Sequence, residues 1–482
     1  SKLNPATGKT QGAFPKSGHM EVEMAVESAR NTFKKWKKFS RFVRSDYMYK
    51  VAQIIERRRE ELATVISLET GKNYNESIAE VNEALHMAQY AFGSGRTPQG
   101  ECLASEIPKK DAYMLRKPKG VVVVISPWNF PLAIGAFWCA APALVEGNTV
   151  VIKPSEDAPL STELAVKAYE EAGIPPGVLN LIHGDGKVGD ELARNEEVNH
   201  ICFTGSAEVG QHIRRICADS WHKTCSCEMG SKSAVIVFDD ANFDLAVSSS
   251  IASAFKLSGQ RCVSSGRIIV QRGIYDKFAE SFAQYASQIN TGKPFLDPTP
   301  LTKMQPNTLA YMGPLINEQQ FNRVLKFNQM VREDPEATVL IDSSHSNPGY
   351  FVSPMVYKTE WRDVPYLKQE VFGPHVALIP FDTIDDAISI YNDTDWTARG
   401  ALEEWMQEIV PYDSSVGPVG YEYMVDRATV SQQGRDDSLI ATYEFFNMWP
   451  TNIGAIELDT TGGDEVETFT CTFAYSHFER SV

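Results

Sequence analysis

The sequence predicts an α/β protein of two doubly wound units followed by a C-terminal segment that is mainly β. Three observations predict it. β-branched runs alternate with helix-forming stretches between Gly120 and Gly210, the alternation restarts at Ala234, and past Asp395 the apolar period becomes that of a half-buried strand. A chain of 482 residues also exceeds what a single hydrophobic core usually serves.

Between residues 20 and 68, Met24, Ala25, Phe33, Tyr49, Ala52, Ile55 and Leu62 recur at three- and four-residue intervals, a helical pattern with Lys and Arg on a solvated face. Residues 120–126 form a continuous apolar run that suits a parallel sheet covered on both faces. The first unit then continues as strand Thr149–Lys153, helix 161–172, strand 178–182, helix 188–194, strand 200–203 and a helix from Glu208. The second begins with strand 234–238, helix 243–258 and strand Arg267–Gln271. In the tail, Phe469, Cys471, Phe473 and Tyr475 alternate with Thr468, Thr470 and Thr472, which predicts an antiparallel strand after a turn at Gly462-Gly463. A helix at 400–410 would put Leu402, Trp405, Met406 and Ile409 on one face.

A net charge of -16 opposes binding to a phosphate backbone, so no nucleic-acid partner is expected; small molecules or proteins fit better. No membrane span is expected, because no apolar run reaches about 18 residues. The longest, around 134–145, is interrupted by Trp138, Cys139 and Pro142. The N-terminus carries no charged start and apolar core of a secretory signal. Eight cysteines without CxxC pairs point to reduced thiols and a cytoplasmic location. Nine histidines without HExxH spacing give no reason to expect a metal.

Four segments carry candidate chemistry. In Phe203-Thr204-Gly205-Ser206-Ala207-Glu208-Val209-Gly210, Gly205, Ser206 and Gly210 would let a phosphate approach a helix N-terminus, although the residues read equally as a tight strand-to-helix turn. In Val151-Ile152-Lys153-Pro154-Ser155-Glu156, Lys153 and Glu156 offer a cation and a carboxylate to a ribose, and the carboxylate would repel a 2′-phosphate, favouring NAD over NADP. Asn129, in Pro127-Trp128-Asn129-Phe130-Pro131, has an amide donor for a developing oxyanion and reads equally as a turn former. Cys262, in Gly259-Gln260-Arg261-Cys262, needs nearby positive charge or a base to become a nucleophile. Cys139, Cys202 and Cys217 read as small buried hydrophobes, and Cys225 and Cys227, two apart on a strand, as structural.

Taken together and in order, PWNFP, VIKPSE, FTGSAEVG, CEMGSKS, GQRC and QEVFGP resemble the aldehyde dehydrogenase superfamily from Asn4 to about Asp395. The resemblance implies a Rossmann-type NAD-binding domain at 1–233, with an oligomerisation hairpin at 99–118, and an α/β catalytic domain at 234–395. It implies Cys262 as nucleophile, Asn129 and the Cys262 N–H as oxyanion hole, and Glu228 as the base for the deacylating water. Lys153 and Glu156 match the adenosine-ribose residues, Gly205 and Ser206 the pyrophosphate turn, and Glu370 and Phe372 the nicotinamide-ribose carboxylate and its neighbouring ring. Trp128, Pro154, Ser155 and Gly210 complete the implied cofactor contacts. Met229-Gly230-Ser231 departs from the family's Leu-Gly-Gly and is expected to alter packing near the base.

After 391–395 the family would continue with a Tyr-Gly-Leu segment, a Pro-Phe-Gly-Gly loop and an oligomerisation strand, and these motifs are absent from the sequence. Residues 396–482 instead resemble the C-terminal half of a contractile-phage tail tube protein, clearest in Met448-Trp449-Pro450-Thr451-Asn452-Ile453-Gly454 and in residues 464–473. The chain then reads as a chimera with an incomplete catalytic domain and without the family's route to a homodimer or homotetramer. The expected function is NAD(P)-dependent oxidation of a small aldehyde. The alternatives are a tube-like assembly protein or an inactive chimera that binds NAD.

Overall fold

The computed structural model describes residues 1–394 apart from 104, 108, 297–303 and 347, and beyond them the backbone of strands Val425–Gln433, Leu439–Ile453, Cys471–Ala474 and His477–Ser481. The chain divides into two units, residues 1–97 with 117–391 and residues 98–116 with 392–482.

In the first unit the N-terminal helical stretch is three helices, His19–Trp36, Arg41–Arg57 and Arg59–Thr70. Ser40 restarts the second by accepting the Val43 N–H at 3.3 Å, a cap worth about 1 kcal/mol. A fourth helix, Tyr74–Ser94, was not anticipated from the sequence; Asn73 caps it by accepting the Glu76 N–H at 2.9 Å.

The first sheet has five parallel strands in the spatial order Leu179–Leu181, Thr149–Lys153, Val121–Ile125, His200–Thr204, Thr224–Glu228. The chain leaves Val121–Ile125 first to one side and later to the other, so a crevice opens at the carboxyl ends of Val121–Ile125 and His200–Thr204, where ligands of such sheets sit. Both Val121–Ile125 and Thr149–Lys153 are buried throughout, as β-branched strands of a parallel sheet covered on both faces are. The second sheet runs Ala234–Val237, Arg267–Gln271, His375–Phe381, Met355–Lys358 in parallel, with Thr338–Ile341 antiparallel at its edge. The helix expected at 243–258 stops at Phe255.

In the second unit, Gly100–Leu103 and Ala112–Leu115 form an antiparallel hairpin. The long strand Leu439–Ile453 pairs antiparallel with Val425–Gln433, with His477–Ser481 and, through Trp449 to Ile453, with Cys471–Ala474. The alternation read in the tail thus yields a strand at Cys471–Ala474, while the turn at Gly462-Gly463 and the helix at 400–410 lie outside the described residues. Among the described residues no helix is long and apolar enough to cross a membrane, and no group of three His, Cys, Asp or Glu side chains is arranged to hold a metal ion.

Candidate active site

Between the end of helix Phe243–Phe255 and Cys262 the backbone makes a left-handed turn through Leu257 (φ 53°), Ser258 (φ 55°) and Gly259 (φ 72°). Two consecutive residues with side chains in that region are strained and need outside support. They receive it from distant parts of the chain. Glu76 accepts the Leu257 N–H at 2.7 Å, the Ser258 hydroxyl donates to the Gly313 carbonyl at 2.7 Å, and Gln260 Oε1 accepts the Ile316 N–H at 3.0 Å. At Gly259 a Cβ would stand 2.2 Å from the Gly373 carbonyl oxygen. Gly259→Ala is therefore expected to lower stability by about 1–3 kcal/mol and to displace the loop carrying Cys262. Urea melts of the variant check this; an unchanged midpoint would show that the loop yields freely.

Cys262 is half-buried. Burial pushes its thiol up, and the charges of Glu228 and Glu370 push it further. The three groups therefore share one electrostatic site. Glu228 ends strand Thr224–Glu228 with an exposed side chain, and its carbonyl accepts the Gly205 N–H at 3.1 Å. Glu370 accepts the Ser231 N–H at 3.2 Å and lies so close to Gly230 that a Cβ there would fall 2.0 Å from Oε2. Burial raises Glu370 to about 7. Beside it Lys232 is buried, donates to the carbonyls of Gln369 (2.8 Å) and Tyr366 (3.0 Å), and is lowered to about 7 by that burial.

Ser231, expected only to alter packing, makes specific bonds: its hydroxyl donates to the Cys262 carbonyl and pairs with the Ser233 hydroxyl at 2.7 Å. Phe372 takes a left-handed φ of 60° and meets Trp128 edge to face at 5.5 Å, with Gln320 holding the carbonyls of Val371 and Phe372.

Asn129 is buried, and its Nδ2 donates to the Gln260 carbonyl at 3.0 Å. A side-chain amide has two N–H groups, so one fixes the residue beside the Cys262 loop and a second remains for a ligand oxygen. The Asn129 carbonyl accepts from Lys72 Nζ at 2.6 Å, and Lys72 also binds Glu80 at 2.6 Å.

The remaining candidates form a separate group along the first sheet. Lys153 is buried, donates to the carbonyls of Pro154 (2.8 Å) and Gly184 (2.9 Å), and lies 3.9 Å from exposed Glu156. Burial lowers its pKa, opposed by the charges of Glu156 and Asp185. Pro154, Ser155 and Glu156 line an open cleft with Phe14, Lys16 and His183. Ser206 caps helix Ala207–Ala218 by accepting the Val209 N–H at 3.4 Å, which places Gly205 and Ser206 at a helix N-terminus. Gly210 packs on Met229, where a Cβ would come 2.5 Å from the sulfur.

Residues 1–403 match the profile described as the aldehyde dehydrogenase family. The chain belongs to that family. Residues 374–481 also match a profile of phage tail tube proteins, and the two matches overlap at 374–403. An α-ketoglutaric semialdehyde dehydrogenase of Bacillus subtilis is 36% identical over 398 residues, 81% of this chain and 78% of the relative. A mitochondrial succinate-semialdehyde dehydrogenase of Arabidopsis thaliana is 36% identical, covering 81% of this chain and 72% of the relative. A crystal structure of betaine aldehyde dehydrogenase from Staphylococcus aureus in complex with NAD+ superposes with a TM-score of 0.76 at 32% identity, covering 82% of this chain and 77% of that one.

Within this aldehyde dehydrogenase chain, sequence reading missed Lys72, Glu76, Glu80, Gln260 and Lys232. One signal was available. In helix Tyr74–Ser94, Glu80 falls on the same buried face as Ser77, Val81, Ala84 and Ala88, a carboxylate where the pattern calls for an apolar side chain.

Proposed function

We propose that this chain oxidises a small aldehyde to the carboxylic acid, preferring NAD to NADP, through a thiohemiacetal and then a thioester on Cys262. The observation that carries the reading is the convergence on one strained loop: the Cys262 thiol under the charges of Glu228 and Glu370, with the Asn129 amide bonded two residues upstream. Residues 1–233 are assigned to cofactor binding and 234–395 to the chemistry.

The residues fit a dinucleotide. A helix N-terminus at Gly205-Ser206 suits a pyrophosphate, and Gly210 lets that helix pack closely on Met229. Lys153 has one N–H beyond its two carbonyl bonds and, with Glu156, suits ribose hydroxyls, while Pro154 and Ser155 shape the wall. Glu370, Phe372 and Trp128 suit the other ribose and its ring. When bound, NAD supplies the acceptor for the hydride that leaves the former aldehyde carbon.

The chain's own groups do the rest. Cys262 Sγ, its proton released to solvent water, adds to the carbonyl carbon. Asn129 Nδ2–H and the Cys262 N–H receive the developing oxyanion, an arrangement that lowers the barrier because the donors are fixed beforehand. Glu228 takes a proton from the water that cleaves the thioester.

The test is aldehyde-dependent absorbance at the NADH wavelength over a broad aldehyde panel; a flat trace for every member sinks the reading. Alongside it, NAD is expected to raise the melting temperature by several degrees and NADP by less. Glu156→Ala should bring the two cofactors together, because the charge facing a 2′-phosphate is gone. A preference that survives the substitution would move its origin away from Glu156.

A further inference from the structure

Lys72 and Glu80 form an ion pair whose side chains are 1% and 0% exposed, in contact with the segment that carries Asn129. Lys72 Nζ stands 2.6 Å from Glu80 Oε2, 2.6 Å from the Asn129 carbonyl oxygen and 4.3 Å from the centre of the Phe130 ring. The other oxygen of Glu80 accepts the N–H groups of Leu132 (2.8 Å) and Ala133 (3.1 Å). The pair therefore grips both ends of one short loop, by its carbonyl at 129 and by its amides at 132 and 133. Two charges without water are a poor way to gain stability, since well-packed apolar side chains of similar volume usually serve as well or better. Their directed bonds are what apolar side chains cannot replace.

We propose that the buried Lys72–Glu80 pair is the positioning device of the oxyanion site: it fixes the Asn129 backbone so that one amide hydrogen bonds the Gln260 carbonyl and the other faces the oxygen of the carbonyl group attacked by Cys262. This rests on Asn129 serving as an oxyanion donor. Lys72 and Glu80 act through it and do not touch the substrate. With the pair removed, the amide of Asn129 samples other rotamers and the oxyanion loses a fixed donor, while the thiol is untouched.

The probe is benzyl trifluoromethyl ketone, added to the full chain and followed by fluorine NMR. The Cys262 thiolate sulfur bonds to the ketone carbon and the carbonyl π pair moves onto oxygen. No electrons pass to another molecule, so the adduct reports the oxyanion site without cofactor or turnover. Asn129→Ala is expected to weaken the adduct roughly 10²-fold, and Glu80→Gln about tenfold, because a misplaced donor is only partly lost. In the Asn129→Ala background, Glu80→Gln should change the affinity by less than about twofold, since its effect runs through Asn129. Lys72→Met/Glu80→Gln, which removes both charges together, should melt close to wild type yet keep the weak adduct.

Equal adduct affinity in wild type and Glu80→Gln would overturn the proposal. So would full effects in the Asn129→Ala background, or recovery of the adduct along with stability in the double variant. Wild type without any Cys262 adduct would overturn the thiol and oxyanion reading itself, and this proposal with it.

Discussion

Cys262→Ala is expected to lower aldehyde oxidation by roughly 10⁴-fold or more while leaving stabilisation by NAD intact. The effect is the largest expected because the proposed route runs through a covalent bond from this thiol, whereas Cys139, Cys202, Cys217, Cys225 and Cys227 are placed for packing. Cys217, Cys225 and Cys227 lie together where helix Ala207–Ala218 covers strand Thr224–Glu228, and burial with their mutual proximity pushes Cys217 and Cys227 up to about 12. Cys139 and Cys202 are half-buried against the core behind the first sheet. Cys262 is raised too, by burial first and then by Glu228 and Glu370, all of which favour the neutral thiol. Its alkylation by iodoacetamide, followed on the Cys262 peptide by mass spectrometry, should therefore accelerate as pH rises through that raised value. Glu228→Gln removes one repelling charge and should move the midpoint to lower pH. A midpoint that stays put would show the carboxylate too far away to act on the thiol, and turnover surviving in Cys262→Ala would remove the nucleophile from the proposal altogether.

The same loop shows where the sequence stops being legible. Thr149–Lys153 and Arg267–Gln271 could be read to the residue, because β-branched runs buried on both faces have a length and composition that a helix rarely copies. Reading a helix through to Ser258 was equally reasonable on local propensity, and it failed after Phe255. The left-handed turn there is imposed by Glu76, Gly313 and Ile316, partners that a local window does not contain. Lys72 and Glu80 escaped for a related reason: the carbonyl and amide partners that make these buried charges tolerable lie near residue 130, far along the chain. Cys262, Glu228 and Asn129 were singled out by a different route, the ordered motifs around them, which fix residue types but carry no angles. Ser231 illustrates the gap. As a letter it was a departure from Leu-Gly-Gly; in place, its hydroxyl bonds the Cys262 carbonyl and its N–H bonds Glu370. In the tail, alternation at Cys471–Ala474 was visible, whereas its pairing with Trp449 to Ile453 was not, because register depends on partners the strand does not encode alone.

Glu228→Gln should separate the two halves of the reaction. The substitution keeps the size of the side chain and the carbonyl that receives the Gly205 N–H, so the strand end should hold its place. On the proposed mechanism the substitution removes the base for the water that cleaves the thioester, and steady-state turnover should fall about 10²–10⁴-fold. Formation of the thioester needs no such water. A rapid burst of NADH should therefore persist, with an amplitude near one per reactive thiol, followed by a nearly flat phase in stopped-flow records. Raising the pH should restore part of the slow phase, because hydroxide attacks the thioester without help from a base. Loss of the burst together with the steady state would assign Glu228 to activation of the Cys262 thiol instead, while unchanged steady-state turnover would leave the deacylating base to be sought elsewhere, with Glu370, raised to about 7 by burial, the next carboxylate to replace.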